Sequence, residues 1–152
     1  MKRWILPTFF VWTLVGAVAV AAWSGREDAP VTVVKGGGKI AWQASFEAAK
    51  QAASEENKPV LVVFESNTCT YCKKMDKTTW TDQRVQDQTR GWVPVKVNGD
   101  QRRDLAAAYG IQGYPTSVLI SADGKPFAGR EGYIEPTEFV SFLETSRPKW
   151  KS

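Results

Sequence analysis

The chain contains no histidine. Imidazole general-base catalysis and histidine-based metal sites are therefore excluded within it. Cysteine is nearly absent as well: Cys69 and Cys72 are the only two in 152 residues. Structural zinc usually takes four ligands, so a zinc site would need a second chain. Covalent haem attachment wants His directly after the second cysteine, and position 73 is Lys. Strong charge of one sign is also missing. The net charge is +4, and without Lys2 and Arg3, 18 basic residues face 16 acidic ones. That balance is too mild to point to nucleic acid or a polyanionic substrate. There is no internal repeat, and Gly36-Gly37-Gly38 is the only low-complexity tract.

What is present centres on Pro59 to Met75, PVLVVFESNTCTYCKKM. An apolar run leads through a short polar turn into Cys69-Thr70-Tyr71-Cys72, two thiols three residues apart at the expected start of a helix. A helix start leaves N–H groups unpaired and carries partial positive charge, which favours a thiolate on Cys69. Cys72, one turn further in, is expected to be more buried. One cysteine then attacks and the other resolves, the layout of thiol–disulfide exchange. The alternative is a purely structural disulfide, although so short a span constrains little of the unfolded chain.

The remainder reads as a membrane-length segment, a tether and one domain. Lys2 and Arg3 precede an uncharged run from Trp4 to Trp23, twenty residues long. At 1.5 Å per residue such a helix spans about 30 Å, the thickness of bilayer hydrocarbon. Two readings stand. An uncleaved anchor has this full length and aromatic residues at both interfaces. A signal peptide would use a small-residue cleavage site such as Ala19-Val20-Ala21. Either way the rest of the chain is exported. The stretch 24–39 is linker, with Val31-Thr32-Val33-Val34 as a candidate short edge strand ahead of the glycines.

From Ile40 the expected element order is αβαβαββα. A helix capped by Ser45 runs to Asn57, and Val60 to Phe64 is a strand covered on both faces. The cysteine helix extends to about Gln88, bent near Thr78-Thr79. Trp92 to Val97 is the second strand, and Asp100 caps a helix through Tyr109, which Gly110 ends. Thr116 to Ile120 is the third strand. A turn at Ala122-Asp123-Gly124-Lys125 leads into a fourth, Phe127 to Arg130. Pro136 opens the last helix, with Phe139, Phe142 and Leu143 on its inner face. This order implies an α/β domain with a mixed central sheet and helices on both faces.

Over Ile40 to Arg147 the chain resembles the thioredoxin superfamily. Three features carry the resemblance: the strand leading into Cys69-Thr70-Tyr71-Cys72; Tyr109-Gly110-Ile111-Gln112-Gly113-Tyr114-Pro115-Thr116 ahead of an apolar strand; and the hairpin with its final helix. Ile40-Ala41-Trp42, Asn57-Lys58-Pro59 and Cys72-Lys73-Lys74-Met75 look like the exported branch related to the reducing domain of transmembrane electron carriers. The domains implied are 1–23 signal-anchor or signal peptide, 24–39 linker, 40–148 thioredoxin-like domain and 149–152 tail, with a hydrophobic N-terminal helix before the fold.

The resemblance implies a protein-disulfide oxidoreductase on the periplasmic side of a bacterial inner membrane, anchored or released. Cys69 attacks, Cys72 resolves, and the reductase or isomerase direction is favoured. Protein thiols and disulfides are the substrates, a membrane protein supplies electrons, and residues 4–23 meet the membrane if uncleaved. No cofactor or metal is implied beyond the Cys69–Cys72 disulfide. Pro115 is expected to be cis and to face the thiols, and Tyr114 pairs its backbone with the substrate segment; Thr70 and Tyr71 complete the substrate-binding set. Two departures stand out. Thr68 occupies the position where the family usually has Trp, and Val63 the position of its buried Asp. Glu65, two residues on and on the same face as Val63, is the candidate proton acceptor for the resolving thiol. A second reading from another class is a thioredoxin-fold binding or assembly subunit of an envelope complex, with an inert cysteine pair.

Overall fold

The computed structural model describes residues 39–151. The apolar run Trp4–Trp23, the linker before Lys39, the candidate strand Val31–Val34 and the last residue of the tail lie outside the described residues. Among the described residues no helix is long and apolar enough to cross a membrane.

Strand β1, Val60–Glu65, is apolar at its first five positions, and all five are buried. Side chains alternate along a strand, so both faces need cover. Val60, Val62 and Phe64 enter one core with Phe46, Ala49 and Ala53; Leu61 and Val63 enter another with Met75, Trp80, Val85, Phe139 and Leu143. The sheet has the order β2-β1-β3-β4. β2, Val93–Asn98, lies parallel to β1. β3, Thr116–Ile120, lies antiparallel to β1, and β4, Pro126–Glu131, antiparallel to β3. The mixed sheet with helices on both faces is the expected one.

The helices start and stop for local reasons. In α1, Phe46–Glu56, the Ser45 hydroxyl accepts the Ala48 N–H at 3.0 Å, and Asn57 ends the helix in the left-handed region, φ 50°. The single bent helix expected from Cys69 to Gln88 is in fact two. α2, Thr70–Lys77, is followed by a 3-10 turn, Thr79–Thr81, and then α3, Gln83–Thr89. Threonine hydroxyls bond backbone carbonyls at the break, one within α2 and one far along the chain. Thr78 Oγ1 donates to Lys74 O at 2.9 Å, and buried Thr79 Oγ1 donates to Ile134 O at 2.7 Å. Asp82 then caps α3, its carboxylate accepting the Arg84 N–H at 2.9 Å.

A second correction concerns Asp100, which caps nothing. Asn98 Oδ1 accepts the N–H groups of Asp100 at 3.0 Å and Gln101 at 3.3 Å, so an Asx turn precedes α4, Arg103–Ala108. Gly110 follows α4 with φ 65°. α5, Pro136–Ser146, starts on Pro136 and turns Phe139 and Leu143 inward. Phe142 is only partly buried.

Phe139 is fully buried and meets the edge of Trp80 with ring centroids 4.8 Å apart. Truncating such a side chain loses its burial and leaves a cavity. Phe139→Ala is expected to cost about 3–5 kcal/mol, read as a lower urea midpoint with an unchanged slope.

Candidate functional site

β1 ends at Glu65, and the chain crosses to α2 through Ser66-Asn67-Thr68. This crossing is tied down at three points. Ser66 O accepts the Cys69 N–H at 3.2 Å, Ser66 Oγ and Thr68 Oγ1 lie 3.5 Å apart, and Asn67 Oδ1 accepts from Asn98 Nδ2 at 3.0 Å. Cys69 therefore arrives at the N-cap of α2 in an extended conformation. Its Sγ does what a serine or aspartate oxygen does at other helices: it accepts the N–H of Cys72, at 3.0 Å. The two sulfurs are joined in a disulfide with the Cα atoms 5.3 Å apart. Cys72 is buried, Cys69 half-buried, and Thr70 and Tyr71 are exposed.

A second segment reaches the same end of the sheet. Thr116 pairs with Phe64, which sets Pro115 level with Glu65 at the exit of β1. The Tyr114–Pro115 peptide is cis. Pro115 O accepts the Gly132 N–H at 2.7 Å, and Thr116 Oγ1 donates to Gly113 O at 2.8 Å. Among the described residues neither the N–H nor the C=O of Tyr114 has a hydrogen-bond partner. A half-buried residue thus keeps a free backbone donor and acceptor at the end of the sheet where β1 leads towards the CxxC segment. The Tyr114 ring lies over Gly99: a Cβ there would overlap the hydroxyl and stand 2.5 Å from Cζ.

Charge gathers on the α2 face of the sheet. Val63 pairs with Lys96 across the parallel β1–β2 ladder. The Lys96 ammonium bonds Asp76 of α2, stands 3.3 Å from the Glu65 carboxylate and lies 5.3 Å from the Trp42 ring centre. Glu65 is therefore not a lone carboxylate at the strand's end; it belongs to a three-membered cluster. Sequence reasoning missed Lys96 and Asp76. Lys96 was readable in principle, as the one charged residue in VPVKVN, set by alternation on the face of Val63. Tyr133 was missed too, and no motif marks it. It follows β4, with its ring 6.4 Å from that of Tyr71. No cluster of three or more His, Cys, Asp or Glu side chains fit to hold a metal occurs among the described residues.

Residues 46–147 match the family described as thioredoxin-like domain. Among curated proteins, the chain is 26% identical over 107 residues to the thiol:disulfide interchange protein DsbD of Actinobacillus pleuropneumoniae, covering 66% of this chain and 18% of that protein. It is 32% identical over 89 residues to the protein disulfide isomerase-like 2-2 of Oryza sativa subsp. japonica, covering 59% of this chain and 24% of that one. The chain thus spans about a fifth to a quarter of these relatives' length. Among solved structures, a DsbH oxidoreductase superposes with a TM-score of 0.61 at 21% identity, covering 71% of this chain and 84% of that chain, a likeness of fold.

The seat of Tyr114 on Gly99 can be tested by stability alone. Gly99→Ala must displace the ring and is expected to cost about 1–3 kcal/mol. In Gly99→Ala/Tyr114→Ala the clash is gone, so the double variant should be more stable than the summed single effects by urea denaturation. Additive effects would mean that the ring does not rest there.

Proposed function

The chain belongs to the thioredoxin-like family, and from that membership we propose that it is a thiol–disulfide oxidoreductase acting on protein substrates in the bacterial cell envelope, in the reductase or isomerase direction. The observation that carries this reading is the Cys72 N–H donated to Cys69 Sγ at the head of α2. A hydrogen bond to sulfur that strengthens as charge develops is what an attacking thiolate needs. The burial of Cys72 behind it, at 5% exposure, keeps the second thiol from solvent until it is used.

In the reduced protein the Cys69 thiolate attacks a substrate disulfide. A Cys69–substrate disulfide forms and one substrate thiolate leaves. Cys72 then loses its proton and attacks Cys69 Sγ; the second substrate thiolate leaves and the Cys69–Cys72 disulfide closes. The substrate gains two electrons and the protein loses two. The free N–H and C=O of Tyr114 supply strand-like pairing for the extended substrate segment, with Pro115, Thr70 and Tyr71 around it. Glu65 takes the Cys72 proton, and Lys96 holds the carboxylate on the α2 side. Return to the dithiol in an oxidising compartment requires electrons from a membrane dithiol protein. In this reading residues 4–23 are either an anchor retained at the inner membrane or an export signal removed from the mature chain.

Three measurements bear on this. Cys72→Ser should accumulate mixed disulfides through Cys69 in cell extracts treated with acid and alkylating reagent, and Cys69→Ser should not. Trapping through Cys72 instead would reverse the two roles. Glu65→Gln should slow resolution of a purified mixed disulfide on the order of 100-fold near pH 6. Its rate should then climb with pH as Cys72 ionises unaided, and an unchanged profile from pH 5 to 9 would remove Glu65 from the step. Protein that stays with membranes through carbonate washing and keeps its first residues fits an anchor; an N-terminus near Ala22 or Trp23 would show release.

A further inference from the structure

We propose that Tyr71, Tyr133 and the lysines of α2 form a preformed docking shelf that favours protein segments with acidic side chains next to the cysteine being exchanged. The inference rests on the oxidoreductase reading above and adds the kind of substrate.

Helical spacing sorts the side chains of α2. At 100° per residue, Cys72 and Met75 face the core, and both are buried. Tyr71, Lys74 and Thr78 follow at intervals of three and four along one flank. Asp76 lies on the other flank, where Lys96 engages it. Lys73 and Lys77, four apart, face outward with Lys74 beside them. The Tyr71 flank meets Tyr133. The Lys74 ammonium lies 3.9 Å from the Tyr133 ring centre, and Tyr133 Oη and Thr78 Oγ1 are 3.1 Å apart. Both chain neighbours of Tyr133 are fixed. Gly132 N–H bonds Pro115 O, and Ile134 O accepts from buried Thr79. The shelf is thus ordered before a partner arrives, which removes part of the cost of binding.

Two observations together point to a partner. Tyr71 is the only large hydrophobic side chain exposed among the described residues, at 59%. The lysines beside it have no carboxylate within salt-bridge range, a state shared by Lys50, Arg103 and Arg130 elsewhere among the described residues. Lys58, Arg84, Arg90, Lys96, Arg102 and Lys125 each pair with a carboxylate. Among the described residues Lys73 and Lys77 have no such partner, and Lys74 has only a ring. Two unpaired lysines alone would be an ordinary solvated face. Placed against an exposed aromatic and a half-buried sulfur, they make a surface complementary to an acidic, partly apolar segment. Glu131, whose carboxylate lies over Gly113, and Glu65, level with Pro115 and paired with Lys96, are the acidic groups near the Tyr114–Pro115 segment, so the preference belongs to the helix side.

The test uses the reduced full-length protein and two fluorescent peptide disulfides of equal length, one with Glu and one with Lys flanking the cysteine. At low ionic strength the acidic peptide should be reduced about three- to tenfold faster. The advantage should shrink towards unity in 0.5 M NaCl, where charges are screened within a few ångströms. In Lys73→Gln/Lys77→Gln the two rates should converge. Equal rates in the unaltered protein, or a faster basic peptide, would overturn the proposal. Should neither peptide be reduced, the oxidoreductase reading fails separately. Docking is then decided by fluorescence anisotropy with the same peptides carrying Ser for Cys: tighter binding of the acidic peptide sustains the shelf, and equal or weaker binding sinks it.

Discussion

The structure depends on one constraint: β1 has no face that tolerates water. Five consecutive apolar residues in an extended chain must be covered above and below. α1 supplies Phe46, Ala49 and Ala53 to one side, and α2, α3 and α5 supply Met75, Val85, Phe139 and Leu143 to the other. The same constraint locates the chemistry. The first residue that can face solvent is Glu65, and only three residues separate it from Cys69. The central strand therefore delivers the cysteines to the end of the sheet where β2 turns at Asn98 and the Tyr114–Pro115 segment enters β3. A sulfur placed at a helix start by an inner strand covered on both faces is held by the fold itself.

The missing acid at position 63 changes the electrostatics of the site without emptying it. A valine there leaves the core dry, and its cross-strand neighbour Lys96 must find its anion elsewhere. It finds two, one from the end of the same strand and one from the cysteine helix. All three groups are partly solvated, with side-chain exposures of 24%, 27% and 47%. Pairs of that kind contribute only about 0–1 kcal/mol to stability. The value of the cluster is positional: it fixes where a carboxylate stands relative to α2.

Much of this was legible in the sequence, because the signals were backbone signals. A continuous apolar run marks a doubly covered strand, Ser45 marks a helix start, and Pro136 marks another. What failed was what tertiary contacts decide. The break after Lys77 needs Thr79 to find the Ile134 carbonyl, a partner 55 residues away. Asp100 looks like a cap until Asn98 takes the N–H groups ahead of α4. The cysteine pair was legible because its meaning lies in spacing. Asp76 and Tyr133 were not, since each acquires its place from a packing contact that no short window encodes; for Lys96 the window VPVKVN shows the charge and its face but not its partners.

The loss of tryptophan ahead of the first cysteine gains a different sense beside these contacts. Thr68 has an exposed polar side chain within 3.5 Å of Ser66, so the crossing from β1 is wet and offers no apolar rim. On the proposed reading, an extended substrate still needs apolar area near its disulfide, because backbone pairing alone gives little discrimination. That area lies on the other side of Cys69, where Tyr71 and Tyr133 stand together and Lys74 covers the Tyr133 ring. Moving the aromatic surface from the approach loop to the helix flank brings it against lysines rather than against a strand end. On the proposed reading, apolar contact and positive charge would then act on the same few residues of a partner.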